Sequence, residues 1–427
     1  MGAAEDASFA RGAATVDVIV SLRRDFAPGA HAANQARAEQ IARDLGLSAR
    51  VAYGTALFGF AATVPEGRLN ALRNDPRVEY VDLDAPVSIP DVRVAAKPGS
   101  GGGSTAQVTP WGIKRVGADA NSNTGLGIHV YIIDTGIDSD HTDLQANLGN
   151  GFAVEKCRGR TCINDWDDDN GHGTHVAGTV GALDNGTHVV GVAPQVTLHG
   201  VKVLSSSGSG TRSGVIAGVD WTASETKKLG SATVANMSLG GSGSKTGTCT
   251  DSGFTGSDVY HAAICNARNA GVVFVVAAGN DGANSTGAVP AAYDDAVITV
   301  SATTCSFTNE TCSSGTDDWT SWSNWGQLTA SWTGNASAPV AIAAPGRGIL
   351  STWHDGATKS ISGTSMASPH GAGAAALFLK SVKQSANGTA FHNTRAKLLT
   401  TAESTKTGWK NTSGNPHAED FLNARTL

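Results

Sequence analysis

Four residue types that together perform acyl transfer occur in this chain at points where the backbone favours chemistry. Asp134 ends the apolar run HVYIID and opens DTGID, so a strand delivers a carboxylate to a Gly turn at its carboxyl edge. His172 and His175 open an Ala- and Gly-rich helical stretch in DDDNGHGTHVAGT. Ser365, in SGTSMASPH, stands ahead of the apolar run Ala372 to Leu379, at a helix start whose N–H groups and dipole favour developing negative charge. Asn280 follows the strand-like VVFVVAAG and offers a side-chain amide that can donate to an oxyanion. Nucleophile, base, orienting carboxylate and oxyanion donor are the four parts that acyl transfer to serine requires.

Each residue alone has a simpler reading. Asp134 suits an Asx-type turn, Ser362 and Ser365 suit a helix cap, and His175 suits a packed helix face. The histidine pair lacks the glutamate of HExxH, which counts against a zinc site. Asp165, Asp167, Asp168 and Asp169 match neither the glycine nor the terminal Glu of an EF-hand, so they read as a solvated acidic loop. Ala367 stands where the second glycine of GxSxG would be, so the serine context is not that of α/β-hydrolases. Pro369 is expected to kink or delay the helix.

The elements that position these groups follow from periodicity. IHVYIID, VTLHGVKVL, TVANMSL, GVVFVVAAGN, DAVITVSAT and PVAIAAPG read as strands, alternating with helix-length segments such as GTHVAGTVGAL and SGVIAGVDWTASETKKL. That alternation predicts an α/β fold, a doubly wound and mostly parallel sheet with helices on both faces. Ahead of it, TVDVIVSL, a helix over about His31 to Leu45, ARVAYGTALFGFAATV, EGRLNALRND and VEYVDLDAPVSI run β-α-β-β-α-β, a small α+β ferredoxin-like domain. The expected organisation is an N-terminal tail over 1–14, that domain over 15–89, a Gly-rich linker over 90–109 and the large domain over 110–427.

Composition narrows the class further. The 427 residues include 53 glycines and carry a formal net charge of −6, without the basic excess that nucleic-acid binding favours. No apolar stretch is long enough for a membrane span. Six cysteines fall into three local sets, Cys157 with Cys162, Cys249 with Cys265 and Cys305 with Cys312, none with CxxC spacing. Even number and loop-like surroundings favour disulfides and an oxidising compartment.

IIDTGID, NGHGTHVAGT, SLGG, AAGND and SGTSMASPHGAG, in that order, resemble the subtilisin-like serine proteases, closest to the proteinase K branch. The chain order Asp134, His172, Ser365 is the subtilisin order. The resemblance implies that Ser365 attacks the peptide carbonyl, His172 moves the proton, Asp134 orients the imidazole, and Asn280 with the Ser365 backbone N–H holds the oxyanion. It also implies that Ser238, Leu239, Gly240, Gly241, Ala277, Ala278 and Gly279 wall the primary specificity pocket, while Gly208, Ser209 and Gly210 pair with extended substrate. Small uncharged walls imply polypeptide substrates with an apolar or aromatic residue before the cleaved bond.

The first domain resembles the inhibitory propeptide of the same family, which implies a secreted, monomeric proenzyme whose propeptide serves as inhibitor and folding aid. A signal peptide is absent from the sequence as it stands. Because Pro90 follows Ile89, maturation is expected within 90–109 rather than directly after Ile89. No cofactor is implied for the chemistry. For structural calcium, relatives carry an Asp where this chain has Ala341, and Asp294 with Asp295 offer an alternative pair of ligands. A catalytically silent binding or inhibitory protein of this fold is opposed by the intact set of four residues, and the acid-acting sedolisin class by GHGTH.

Overall fold

Val272–Ala277 (VVFVVA) is buried at every position, as a strand covered on both faces must be. Thr233–Met237 is buried throughout, and His129–Asp134 at all but its first residue. The structure, a computed structural model, describes residues 14–27, 29–91, 93–94, 106–159, 162–305, 307–308, 311–312, 317–326, 339–404 and 416–427. The expected tail, but for residue 14, and the centre of the expected linker lie outside them. Contacts group the chain into two units, one running to Gly54 and resuming over Phe58–Asp84, the other comprising Thr55–Leu57 and Ala85–Leu427.

In the first unit four antiparallel strands lie in the order Val51–Tyr53, Gly59–Pro65, Thr15–Leu22, Val78–Leu83. The helices His31–Asp44 and Leu69–Arg73 complete the β-α-β-β-α-β sequence read from the chain. Val18, Val20, Ile41, Phe58, Phe60 and Val64 form its core. The unit ends at Asp84, because Pro86–Ser88 pairs instead with Ser209–Thr211 of the second unit.

The second unit is built on an eight-stranded sheet. Its spatial order is Asp318–Trp319, Val297–Thr304, Val272–Ala277, Thr233–Met237, His129–Asp134, Thr197–Lys202, Phe152–Ala153, with Ile342–Pro345 also paired to Val297–Thr304. All pairs are parallel except Asp318–Trp319 with Val297–Thr304. From His129–Asp134 the chain goes to Phe152–Ala153 and Thr197–Lys202 on one side, then to Thr233–Met237 on the other. The strand order thus reverses at Asp134, and such switch points open a crevice at the carboxyl edge of the sheet.

The helix Thr364–Ser381 runs through the core, buried from Thr364 to Leu379, with Gly371, Gly373 and five alanines on its surface. Small side chains there let backbone elements pack closely: a Cβ on Gly373 would stand 2.5 Å from that of Val192. Pro369 lies within this helix, which starts at Thr364 without delay. Disulfides join Cys157 to Cys162 and Cys249 to Cys265. Cys305 is also disulfide-bonded, and the side chain of Cys312, its expected partner, lies outside those described. Among the described residues no helix is long and apolar enough to cross a membrane.

Candidate active site

The turn after Asp134 brings the strand end against the helix His172–Gly181. Gly136 adopts φ +112°, and a Cβ there would meet the Trp166 carbonyl oxygen at 2.5 Å. Gly173 has the reciprocal constraint, since its Cβ would fall 2.1 Å from the Gly136 oxygen. The glycines of DTG and GHG are therefore there for close approach, and that approach sets carboxylate beside imidazole.

His172 Nδ1 lies 2.8 Å from Asp134 Oδ1, with both side chains at most 1% exposed. An ionised carboxylate only accepts, so Nδ1 carries the proton and Nε2 keeps its lone pair. Thr135 N–H donates to the same Oδ1 at 2.7 Å, which fixes the carboxylate plane. His172 Nε2 has no hydrogen-bond partner among the described residues. Ser365, fully buried, donates its hydroxyl to the Ser238 carbonyl at 3.3 Å. Catalytic hydrogen bonds of this kind often close only around substrate.

Asn280 is tightly oriented. Its Oδ1 accepts from Thr364 N–H at 2.9 Å and from Thr364 Oγ1 at 2.8 Å, which turns Nδ2 outward. Nδ2 donates to the carbonyl of Asp91 at 2.9 Å. The Ser365 N–H belongs to the first helical turn, where no intrahelical acceptor exists.

Pro369 has a consequence more specific than a kink. Four residues after Ser365, it cannot supply the N–H that would close the helical bond to the Ser365 carbonyl. Ser238 Oγ supplies the missing donor at 2.9 Å, while accepting from Asn236 Nδ2 at 2.9 Å. Ser368 Oγ donates to Asn236 Oδ1 at 2.7 Å. Asn236, Ser238 and Ser368 thus brace the backbone that carries Ser365.

The acidic loop is only partly solvated, a correction to the sequence reading: Asp165 is exposed, but Asp167 and Asp168 are buried. Asp168 Oδ1 accepts from Thr135 Oγ1 and from Asn170 and Gly171 N–H, and Oδ2 from Thr174 N–H and Oγ1, at 2.7–3.0 Å. It satisfies the open N–H groups at the helix start and ties them to the turn after Asp134. The buried Lys202 completes the frame, donating to Asp169 Oδ1 at 2.7 Å, Thr135 O at 2.6 Å and Leu204 O at 3.0 Å. The signal in the sequence was a carboxylate a few residues ahead of a helix, which net acidity concealed. Asp168→Ala is expected to cost about 2–4 kcal/mol, from a lost cap and orphaned buried donors. Urea unfolding checks it, the midpoint falling with the slope unchanged.

Among the described residues the His175 ring makes no hydrogen bond to this group. Fully buried, its Nε2 lies 3.0 Å from the Ile349 oxygen and 3.1 Å from the Lys359 oxygen, and burial pushes its pKa down to about 3. It is a neutral structural residue pinning helix to hairpin.

Ser238, expected as a pocket wall, is not among the cavity-lining residues but lies buried against the Ser365 carbonyl. Ser209–Thr211 pairs antiparallel with Pro86–Ser88, and Ile89 N–H donates to Gly208 O at 3.0 Å. Leu239, Gly240, Gly241, Ala277, Ala278 and Gly279 line a cavity of about 290 Å³, joined by Ala288, Val289 and Ala291. The sequence reading missed the last three, because a long turn separates them from AAGN. It also missed Asp281 at the rim, whose Oδ2 accepts from Asn324 Nδ2 at 3.3 Å.

Asp294 and Asp295 do not form an open cation site. Lys245 Nζ lies 2.7 Å from Asp294 Oδ1 and 2.9 Å from Asp295 Oδ2, and His261 Nε2 lies 2.8 Å from Asp295 Oδ1. The Lys245 ammonium bridges the two carboxylates. Among the described residues no group of three or more His, Cys, Asp or Glu is arranged to hold a metal.

Residues 125–418 match the family model described as the subtilase family, peptidase S8. The extracellular serine proteinase of Thermus sp. (strain Rt41A) is 39% identical, over 80% of this chain and 72% of that protein. Subtilisin DY of Bacillus licheniformis is 39% identical, over 64% of this chain and 85% of its own length. Among solved structures, a cold-adapted subtilisin-like serine proteinase is 34% identical with a TM-score of 0.55, covering 75% of this chain and 98% of that one. Matched by the family model over most of its length, the chain belongs to the subtilase family of serine proteases.

Proposed function

We propose that the protein is a secreted serine endopeptidase made as a proenzyme, with Asp134, His172 and Ser365 as its catalytic triad. The observation that carries this reading is the buried Asp134–His172 hydrogen bond of 2.8 Å at the carboxyl edge of the sheet, in a chain that sets Asn280 just past the strand Val272–Ala277 and Ser365 at the start of the helix Thr364–Ser381. Ser365 Oγ attacks the peptide carbonyl as its proton passes to His172 Nε2. His172 delivers that proton to the leaving amine, and water repeats the sequence on the acyl-enzyme. Asp134 holds the tautomer and stabilises the imidazolium. Side chains and water suffice for every step, without a cofactor.

Asn280 Nδ2 and the Ser365 N–H receive the oxyanion. Asn280→Ala is expected to lower kcat about 10²- to 10³-fold with little change in KM, because the donor is matched to charge that develops in the transition state. Steady-state kinetics on a peptide amide checks it.

The apolar floor of Leu239, Ala277, Ala278, Ala288 and Val289 favours apolar or aromatic residues before the cleaved bond, and backbone pairing along Gly208–Gly210 and Gly240 favours broad sequence acceptance. A peptide library varied at that residue is expected to show Leu and Phe cleaved at least ~10-fold faster than Asp. Strict preference for Lys or Arg would overturn the assignment and point to Asp281 as the selector. Extracellular action agrees with the disulfides and with the name of the Thermus relative. The strand Pro86–Ser88, paired to the cleft wall in the manner of a substrate, supports the proenzyme.

A further inference from the structure

We infer that Asn324 is a positioning residue for the oxyanion donor, an assignment that rests on the proposed role of Asn280. Asn280 stands in a loop that leaves the sheet after the strand Val272–Ala277 and reaches the surface at Asp281. Thr364 sets the rotation of the Asn280 amide through Oδ1. The place of that amide depends on the backbone that carries it.

Asn324, 1% exposed, fills the inside of the loop. Its Oδ1 accepts from Asp281 N–H at 2.9 Å and from Ala283 N–H at 3.0 Å. Its Nδ2 donates to the Ala278 carbonyl at 3.1 Å and to Asp281 Oδ2 at 3.3 Å, and its own N–H donates to the Gly279 carbonyl at 2.9 Å. Both lone pairs and both amide protons are used, so the network admits one orientation of the side chain. One residue thus ties the loop on both sides of Asn280, at Ala278 and Gly279 before it and at Asp281 and Ala283 after it. Gly279, at φ +105°, allows so close a wrapping: a Cβ there would stand 2.3 Å from Asn324 Nδ2.

The support is itself anchored in the sheet. Ser323 Oγ accepts from Ala302 N–H at 2.9 Å, and Thr320 Oγ1 donates to Ala302 O at 3.1 Å, which fastens the segment before Asn324 to the strand Val297–Thr304. Past Asn324, Trp325 N–H donates to Ala283 O at 3.0 Å. A rigid strand therefore reaches the oxyanion donor through one buried amide.

Other side chains break this link in defined ways. Alanine leaves the Asp281 and Ala283 N–H groups without their acceptor, and the loop relaxes toward water. Aspartate keeps both acceptor positions but has no proton for Ala278 O and faces the Asp281 carboxylate. In either case Asn280 Nδ2 shifts relative to the helix that carries Ser365, and a misplacement of about 1 Å costs roughly 10²-fold in rate.

The test is a double-mutant cycle in the full chain, read by steady-state kinetics on a peptide amide, with intact mass confirming that the proteins compared carry the same termini. Asn324→Ala is expected to lower kcat about 10- to 10²-fold, with KM changed less than ~3-fold. In the Asn280→Ala background the same substitution is expected to lower kcat less than ~3-fold, because the donor it places is already gone. Asn324→Asp keeps both acceptors of the loop and carries the same cycle if thermal unfolding shows that the alanine variant has lost its fold. An equal loss in both backgrounds, a loss carried by KM alone, or an unchanged kcat overturns the positioning role and leaves Asn280 as the donor. An unchanged kcat in Asn280→Ala by itself overturns the donor assignment, and the positioning role falls with it.

Discussion

Ser365→Ala is expected to lower kcat for peptide hydrolysis about 10⁴- to 10⁶-fold while the protein stays folded. The loss is large because no neighbouring group can replace the hydroxyl. Ser238 Oγ already donates to the Ser365 carbonyl, and Thr364 Oγ1 to Asn280. Stability is expected to change little. The Ser365 hydroxyl makes one hydrogen bond, at 3.3 Å, and alanine is a better helix former than serine. Steady-state kinetics with thermal unfolding separates the two effects. A variant that retains more than a tenth of the activity would remove Ser365 as the nucleophile. One that unfolds would show that the site needs the hydroxyl for packing.

Asp134→Asn is expected to lower kcat about 10⁴-fold, with the polypeptide fold intact. Asp134 Oδ1 accepts from both His172 Nδ1 and Thr135 N–H, so an amide oxygen in its place keeps both bonds. What the amide lacks is the negative charge that stabilises the imidazolium formed when His172 takes the serine proton. The shape is conserved and the charge is lost. Proton NMR of the imidazole N–H checks the cause independently of rate: the Nδ1-bound proton is expected to move upfield in the variant, because its acceptor is no longer a carboxylate. An unmoved resonance alongside full activity would show that the charge of Asp134 is not used.

Much of this was legible in the residues because it depends on short-range pattern. Continuous apolar runs such as VVFVVA predict strands buried on both faces, and their alternation with helical segments predicts a covered parallel sheet. The glycines around Asp134 and His172 mark close approach, and the serine before an apolar helix marks an N-terminus. Family resemblance then joined motifs that no local rule connects.

Other features needed the tertiary structure, because they rest on partners far apart in sequence. Asp168 reads as a solvated acid until Thr135 and Thr174 meet it, and Asp294 and Asp295 read as metal ligands until Lys245 neutralises them. Pro369 looks like a helix breaker until Ser238, 131 positions earlier, supplies the donor that it lacks. Sequence by itself determined which residue types could do the chemistry and the elements that carry them. Only the folded chain decided which carbonyl Asn280 holds, which acids are buried and where the cavity opens, since a hydrogen bond's value depends on the partner that burial places within 3 Å.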